Sequence, residues 1–169
     1  METERPSFGR FDGFHHIVLW VSNAKQAASF YVTRFGFTEV AYRGLETGDR
    51  EYCSHVLRQD KIFLVLKAPL NPDEKVINDH LAKHGDGVKD VAFTCENVQA
   101  VFDYAMKNGA QVVKAPYVEE DKHGKVIMAS IRTVFIQAII SLTAIVLVRR
   151  HCAYLGTTGS IYWHILARI

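Results

Sequence analysis

Cysteine is scarce in this 169-residue chain, with three in all. Cys53, Cys95 and Cys152 stand far apart and form no C-x-x-C pair, which argues against a disulfide framework or a structural zinc site and for a reducing compartment. An excess of one charge is lacking too. The 20 Lys and Arg against 18 Asp and Glu leave +2, with no basic block interleaved with aromatics, so a nucleic-acid partner is not expected. The opening Met1-Glu2-Thr3-Glu4-Arg5-Pro6 has neither the apolar stretch of a secretory leader nor the Arg/Ser-rich character of a mitochondrial one, and a cytoplasmic location is expected. No serine sits on a G-x-S-x-G turn. What the chain does have is a 49% hydrophobic composition, enough for one compact core.

The order of local signals is regular. Phe14–Val21 is β-branched and aromatic and reads as a strand. Ser22 and Asn23 offer capping oxygens to a helix whose apolar stripe is Ala24, Ala27, Ala28 and Tyr31, and Gly36 can turn left-handed where that helix stops. Strand-like runs follow at Phe37–Tyr42, Glu51–Leu57 and Ile62–Lys67, the last two joined at Gln59-Asp60 by a gap of hairpin length. Pro69 and Pro72 close the run. A short helix is expected over Glu74–Lys83.

The pattern then restarts. Val88–Cys95 reads as a strand, and Asn97 caps a helix with apolar positions Val98, Val101, Phe102, Ala105 and Met106 that ends at Asn108-Gly109. Further strands are expected at Gln111–Val113, extending toward Val118, and at Lys125–Arg132. Laying Asn97 over Asn23 puts Val91 on Ile17 and Phe93 on Leu19. Two β-α-β-β-β units of this kind each leave a sheet face that pairing can bury. The fold class is therefore α+β, with a polar extension at 1–10, a domain of two such modules at 11–133 and an apolar tail at 134–169.

In the tail the last strand of the second module is replaced or lost. Val134–Val148 is far more apolar than anything before it and is followed by Arg149-Arg150-His151. As a helix its fifteen residues would span ~22 Å, short of the ~30 Å hydrocarbon core, so a transmembrane anchor is disfavoured. Three readings compete: Val134–Ile140 supplies the missing strand, the run binds a membrane or partner, or it comes from an alternative reading frame with no selected role. The abrupt change of composition favours the third.

Repeated β-α-β-β-β units resemble the vicinal oxygen chelate superfamily, which holds glyoxalases and extradiol dioxygenases. Within it, Asn23–Tyr31, Ala41–Gly48 and Asp79–Phe93 make the chain most similar to the 4-hydroxyphenylpyruvate dioxygenase family. The resemblance runs from about Phe11 to Thr133. It implies kinship with enzymes of tyrosine catabolism that convert 4-hydroxyphenylpyruvate and dioxygen to homogentisate and carbon dioxide. They use Fe(II) held by two histidines and a glutamate, a facial triad with open positions for substrate and oxygen. In that family all three ligands lie in a second domain of the same architecture, which this chain is expected to lack. Fe(II) therefore belongs to the full-length family and no cofactor is expected here. A homo- or hetero-oligomer with the full-length enzyme is the expected partnership.

The resemblance also says where superfamily ligands sit, on the first and last strands of the units. His16 holds such a place, sharing a strand face with Phe14, Val18 and Trp20, and its counterpart in the second unit is Asp90. Ile62–Lys67 offers neither carboxylate nor imidazole. The set is one ligand short, so His16 is read as a strand histidine satisfied by a neighbour or exposed on the sheet, and His15 faces the other way. Gly85-Asp86-Gly87 precedes a strand and is read as a turn, not a phosphate loop. Cys53 and Cys95 are read as small buried residues, and Arg43 and Arg50 as solvated loop charges. No residue is assigned a catalytic, cofactor-binding or metal-ligating role. The rival functions are a metal-dependent glyoxalase-type enzyme with a site shared between chains and a non-catalytic, membrane-associated interaction module.

Overall fold

The computed structural model describes residues 9–121, 124–132 and 144–151. Its strands are β1 (Phe11–Trp20), β2 (Thr38–Arg43), β3 (Tyr52–Gln59), β4 (Ile62–Pro69), β5 (Gly87–Cys95), β6 (Gln111–Asp121), β7 (Gly124–Arg132) and β8 (Ala144–His151). The helices are α1 (Ala24–Phe35), α2 (Lys75–His84) and α3 (Val98–Lys107). No helix among the described residues is long and apolar enough to cross a membrane. The described residues divide into two units, one built on His16–Lys89 and the other on 90–132 with 144–151 and 9–15.

In the first unit the strand order is β2-β3-β4-β1. β1 runs parallel to β4, with Val18 opposite Val65, and β4, β3 and β2 are antiparallel, with Val65 opposite Val56 and His55 opposite Tyr42. Asn23 starts α1 from an extended backbone, its side chain accepting from the Gln26 amide at 3.0 Å. Gly36 ends it at φ 72°, a left-handed conformation that a Cβ disfavours. The hairpin between β3 and β4 turns on Asp60-Lys61 rather than Gln59-Asp60, because Gln59 still pairs with Ile62 while Asp60 takes φ 50°. Ala24 and Ala28 of α1 pack on Leu57, Leu64, Leu66 and Ala68. Small residues on the helix let it sit close to the large residues of the sheet.

The second unit repeats this layout as β5-β8-β7-β6. β5 runs parallel to β8, with Phe93 opposite Leu147, and β8 is antiparallel to β7, with Leu147 opposite Ala129. Asn97 caps α3 on the Ala100 amide at 3.1 Å, with nearly the backbone angles of Asn23. Val98, Val101 and Phe102 pack against Cys95 and Ala129. The helix now contributes large residues to the cluster, and Ile127 and Ile131 of the sheet pack against it.

β8 takes the place that β4 takes in the first unit. The strand in that place is Ala144–His151; Val134–Ile140, one candidate for it from the sequence, lies outside the described residues.

Candidate functional site

α1 covers one face of the first unit's sheet, the face of Ile17, Leu19, Leu57, Leu64 and Leu66. Register assigns the other face to His16, Val18 and Trp20 of β1, Phe63, Val65 and Lys67 of β4, and Ser54 and Val56 of β3. Its floor is apolar, with Val18, Val56 and Val65 fully buried and Trp20, Val40 and Ala41 packed against them.

Toward one end the same face becomes polar. A cavity of about 500 Å³ is lined by Arg43, Gly48, Asp49, Arg50, Glu51, Tyr52, Ser54 and Lys67. Arg43 Nε sits 2.7 Å from a carboxylate oxygen of Asp49, whose side chain is only 9% exposed. The other Asp49 oxygen accepts from the amides of Glu51 and Tyr52 at 2.9 and 3.1 Å. Burial works to raise the Asp49 carboxyl, but the Tyr52 and Glu51 amides and the Arg43 guanidinium outweigh it and hold the group below its ordinary value. Lys67 Nζ lies 4.3 Å over the Tyr52 ring, and the Tyr52 hydroxyl donates to Glu74 at 3.0 Å. Burial and then that carboxylate push the Tyr52 phenol upward. Beside the floor, Lys89 Nζ stands 4.7 Å over Trp20 and His80 meets the same indole at 5.0 Å. Burial, then Lys89 and His84, lower the His80 imidazole.

Chemically, the cavity can hold a small polar ligand by charge and hydrogen bonding. Arg43 is paired with Asp49, and Arg50, Glu51 and Lys67 also line the cavity.

His16 is buried at 2% exposed and His15 at 4%, so neither is a surface group. Asp90 belongs to the other unit. Asp86 accepts from both the amide and the hydroxyl of Ser22, at 2.8 and 3.2 Å, which makes Gly85-Asp86-Gly87 a turn tied to the start of α1. Cys95 is buried and Cys53 half-buried; Cys152 lies outside the described residues. Arg43 departs from expectation: it ends β2 and pairs with a buried carboxylate instead of standing in a solvated loop. Asp49, Tyr52, Lys67 and Glu74 were not signalled. Only Gly48-Asp49, a left-handed glycine before a residue whose side chain turns onto the next amides, is a local hint.

An iron centre of two histidines and a glutamate does not fit this donor set. On this face the described strands offer one imidazole, His16, beside Phe63, Val65 and Lys67. Among the described residues no group of three or more His, Cys, Asp or Glu side chains is arranged around a common point for a metal ion.

Residues 15–128 match the model of the Glyoxalase/Bleomycin resistance protein/Dioxygenase superfamily. The 4-hydroxyphenylpyruvate dioxygenase of Xenopus tropicalis is 52% identical over 130 residues, covering 77% of this chain and 33% of that protein. That of Dictyostelium discoideum is 49% identical over 120 residues, covering 71% and 33%. The chain spans about a third of the length of the curated relatives it matches. Among solved structures, a mutant 4-hydroxymandelate synthase from Streptomyces coelicolor superposes with TM-score 0.66 at 27% identity, over 87% of this chain and 44% of that one. Methylmalonyl-CoA epimerase from Mycobacterium tuberculosis gives TM-score 0.59 at 17% identity, over 86% and 92%, a likeness of fold.

Proposed function

The chain belongs to the Glyoxalase/Bleomycin resistance protein/Dioxygenase superfamily, and on that premise we propose that it is a non-catalytic half of a 4-hydroxyphenylpyruvate dioxygenase-type assembly. In this reading it supplies the amino-terminal pair of β-α-β-β-β units and does not convert 4-hydroxyphenylpyruvate to homogentisate by itself. It acts by associating with chains that hold Fe(II), as a homo- or hetero-oligomer with the full-length enzyme of tyrosine breakdown. The identity of about 50% to the amino-terminal part of such enzymes supports the kinship. The observation that carries the non-catalytic part is the donor set. Where a ligand would stand on β4, the sheet face bears Phe63, Val65 and Lys67. With His16 as the one imidazole that the described strands offer on this face, a facial triad is two ligands short there.

The test is homogentisate formation and oxygen uptake by the purified chain, supplied with Fe(II), ascorbate and 4-hydroxyphenylpyruvate. No turnover above the protein-free rate is expected. Turnover that His16→Ala abolishes would overturn the reading and place an iron site between units or chains.

A further inference from the structure

On the α1 side of the first unit's sheet, away from the cavity, three side chains stand in line. Cys53 Sγ is 3.5 Å from His55 Nε2, and His55 Nδ1 is 2.8 Å from Glu39 Oε1. β3 places the thiol and the imidazole two residues apart on one face, and β2 brings Glu39 alongside, opposite Leu57. A carboxylate on Nδ1 holds that nitrogen protonated, which turns the Nε2 lone pair toward the sulfur. His55 is 7% exposed, whereas the Glu39 side chain is 43% exposed and Cys53 half-buried, so the base is shielded and the thiol residue is only partly covered. The Tyr42 ring meets the His55 ring at 4.9 Å in a tilted contact, and its hydroxyl donates to Glu46 at 2.5 Å.

We propose that Cys53, His55 and Glu39 form a nucleophile–base–acid relay that makes Cys53 the peroxide-reactive thiol of this chain. The sulfur attacks one oxygen of a small hydroperoxide. An S–O bond forms and the O–O bond breaks, while the thiol proton passes to His55 Nε2 and from there to the departing oxygen. The balance is thiol plus hydroperoxide giving sulfenic acid plus alcohol or water: the sulfur is oxidised and the peroxide reduced. Glu39 balances the imidazolium that exists between the two proton transfers.

The surroundings of the sulfur make the relay necessary. Burial pushes the Cys53 thiol up; Tyr42 works the other way by hydrogen bonding, and the carboxylates of Glu46, Glu39 and Asp49 add to the rise. A half-buried thiol among carboxylates, with no base at hand, reacts more slowly folded than unfolded.

The experiment compares Cys53 in the folded chain with Cys53 in the same chain unfolded in urea. Hydrogen peroxide is the oxidant at pH 7, dimedone traps the sulfenic acid, and mass spectrometry of the Cys53 peptide reads the rate. Folded Cys53 is expected to react at least ~10-fold faster than unfolded, at the low end of what a positioned base supplies. His55→Ala should bring the folded rate below the unfolded one. Glu39→Gln, a substitution at a largely exposed site, should lower it while leaving the far-UV circular dichroism unchanged. A folded rate no higher than the unfolded rate overturns the proposal, as does a rate that neither substitution moves. If His55→Ala does not fold, the folded-to-unfolded ratio and Glu39→Gln decide.

Discussion

Asp49 shows how a single carboxylate organises the candidate site. Two amides from its own chain direction and one guanidinium from β2 converge on it, so its charge is satisfied although it is almost buried. Asp49→Asn keeps the shape but weakens every one of these contacts. It should cost about 1–3 kcal/mol, the range for leaving buried polar groups short of partners. Urea unfolding at pH 7 measures this. The sign of the pH effect follows from the lowered folded value. Stabilisation is complete above the unfolded carboxyl's ordinary value of about 4 and is lost as pH falls through the lower folded one. The native chain should therefore lose more stability than Asp49→Asn between pH 7 and pH 3. Equal losses would mean that Asp49 is no stronger an acid in the folded chain.

At the scale of elements, the two helix starts are the same device used twice. Asn23 and Asn97 have φ of −140° and −142° and accept from the third amide onward. Asn23→Ala and Asn97→Ala should each cost about 0.5–2 kcal/mol, and the double variant close to the sum, since the caps share no partner. Thermal unfolding of the three variants checks both statements. Gly36→Ala places a Cβ at φ 72° and should cost about 1 kcal/mol, mostly as backbone strain. These features were legible in the sequence because caps, stop glycines and apolar periodicity are local. The repeat was legible for the same reason. The cavity was not: Arg43, Asp49, Tyr52 and Lys67 meet only once β2, β3 and β4 are in register, and a bulge between Glu39 and Ala41 shifts that register. The line from Cys53 to Glu39 likewise crosses a strand pairing. His16 was singled out through the family resemblance and placed on its face by the strand pattern, but its burial depends on what covers the face, which periodicity does not state.

For the molecule as a whole, the instructive strand is β8. From sequence its apolar run looked like foreign matter after Thr133, since nothing local marks Ala144 as the start of a strand. In the fold it lies between β5 and β7, with Asp90–Thr94 opposite Ala144–Val148 and Lys125–Ile131 opposite His151–Ile145. Without it, β5 and β7 would each present an unpaired row of amides and carbonyls, a template for pairing with another chain. A chain ended after Arg132 is therefore expected to self-associate or to lose the order of its second unit. β4 holds the equivalent place in the first unit and is untouched by the cut, so hydrogen exchange should speed up at Val91–Thr94 and Ala129–Ser130. Exchange at Val56 and Val65 should stay slow. Unchanged protection across β5 and β7, in a truncated chain that remains monodisperse by size exclusion, would show that the second unit stands without its last strand.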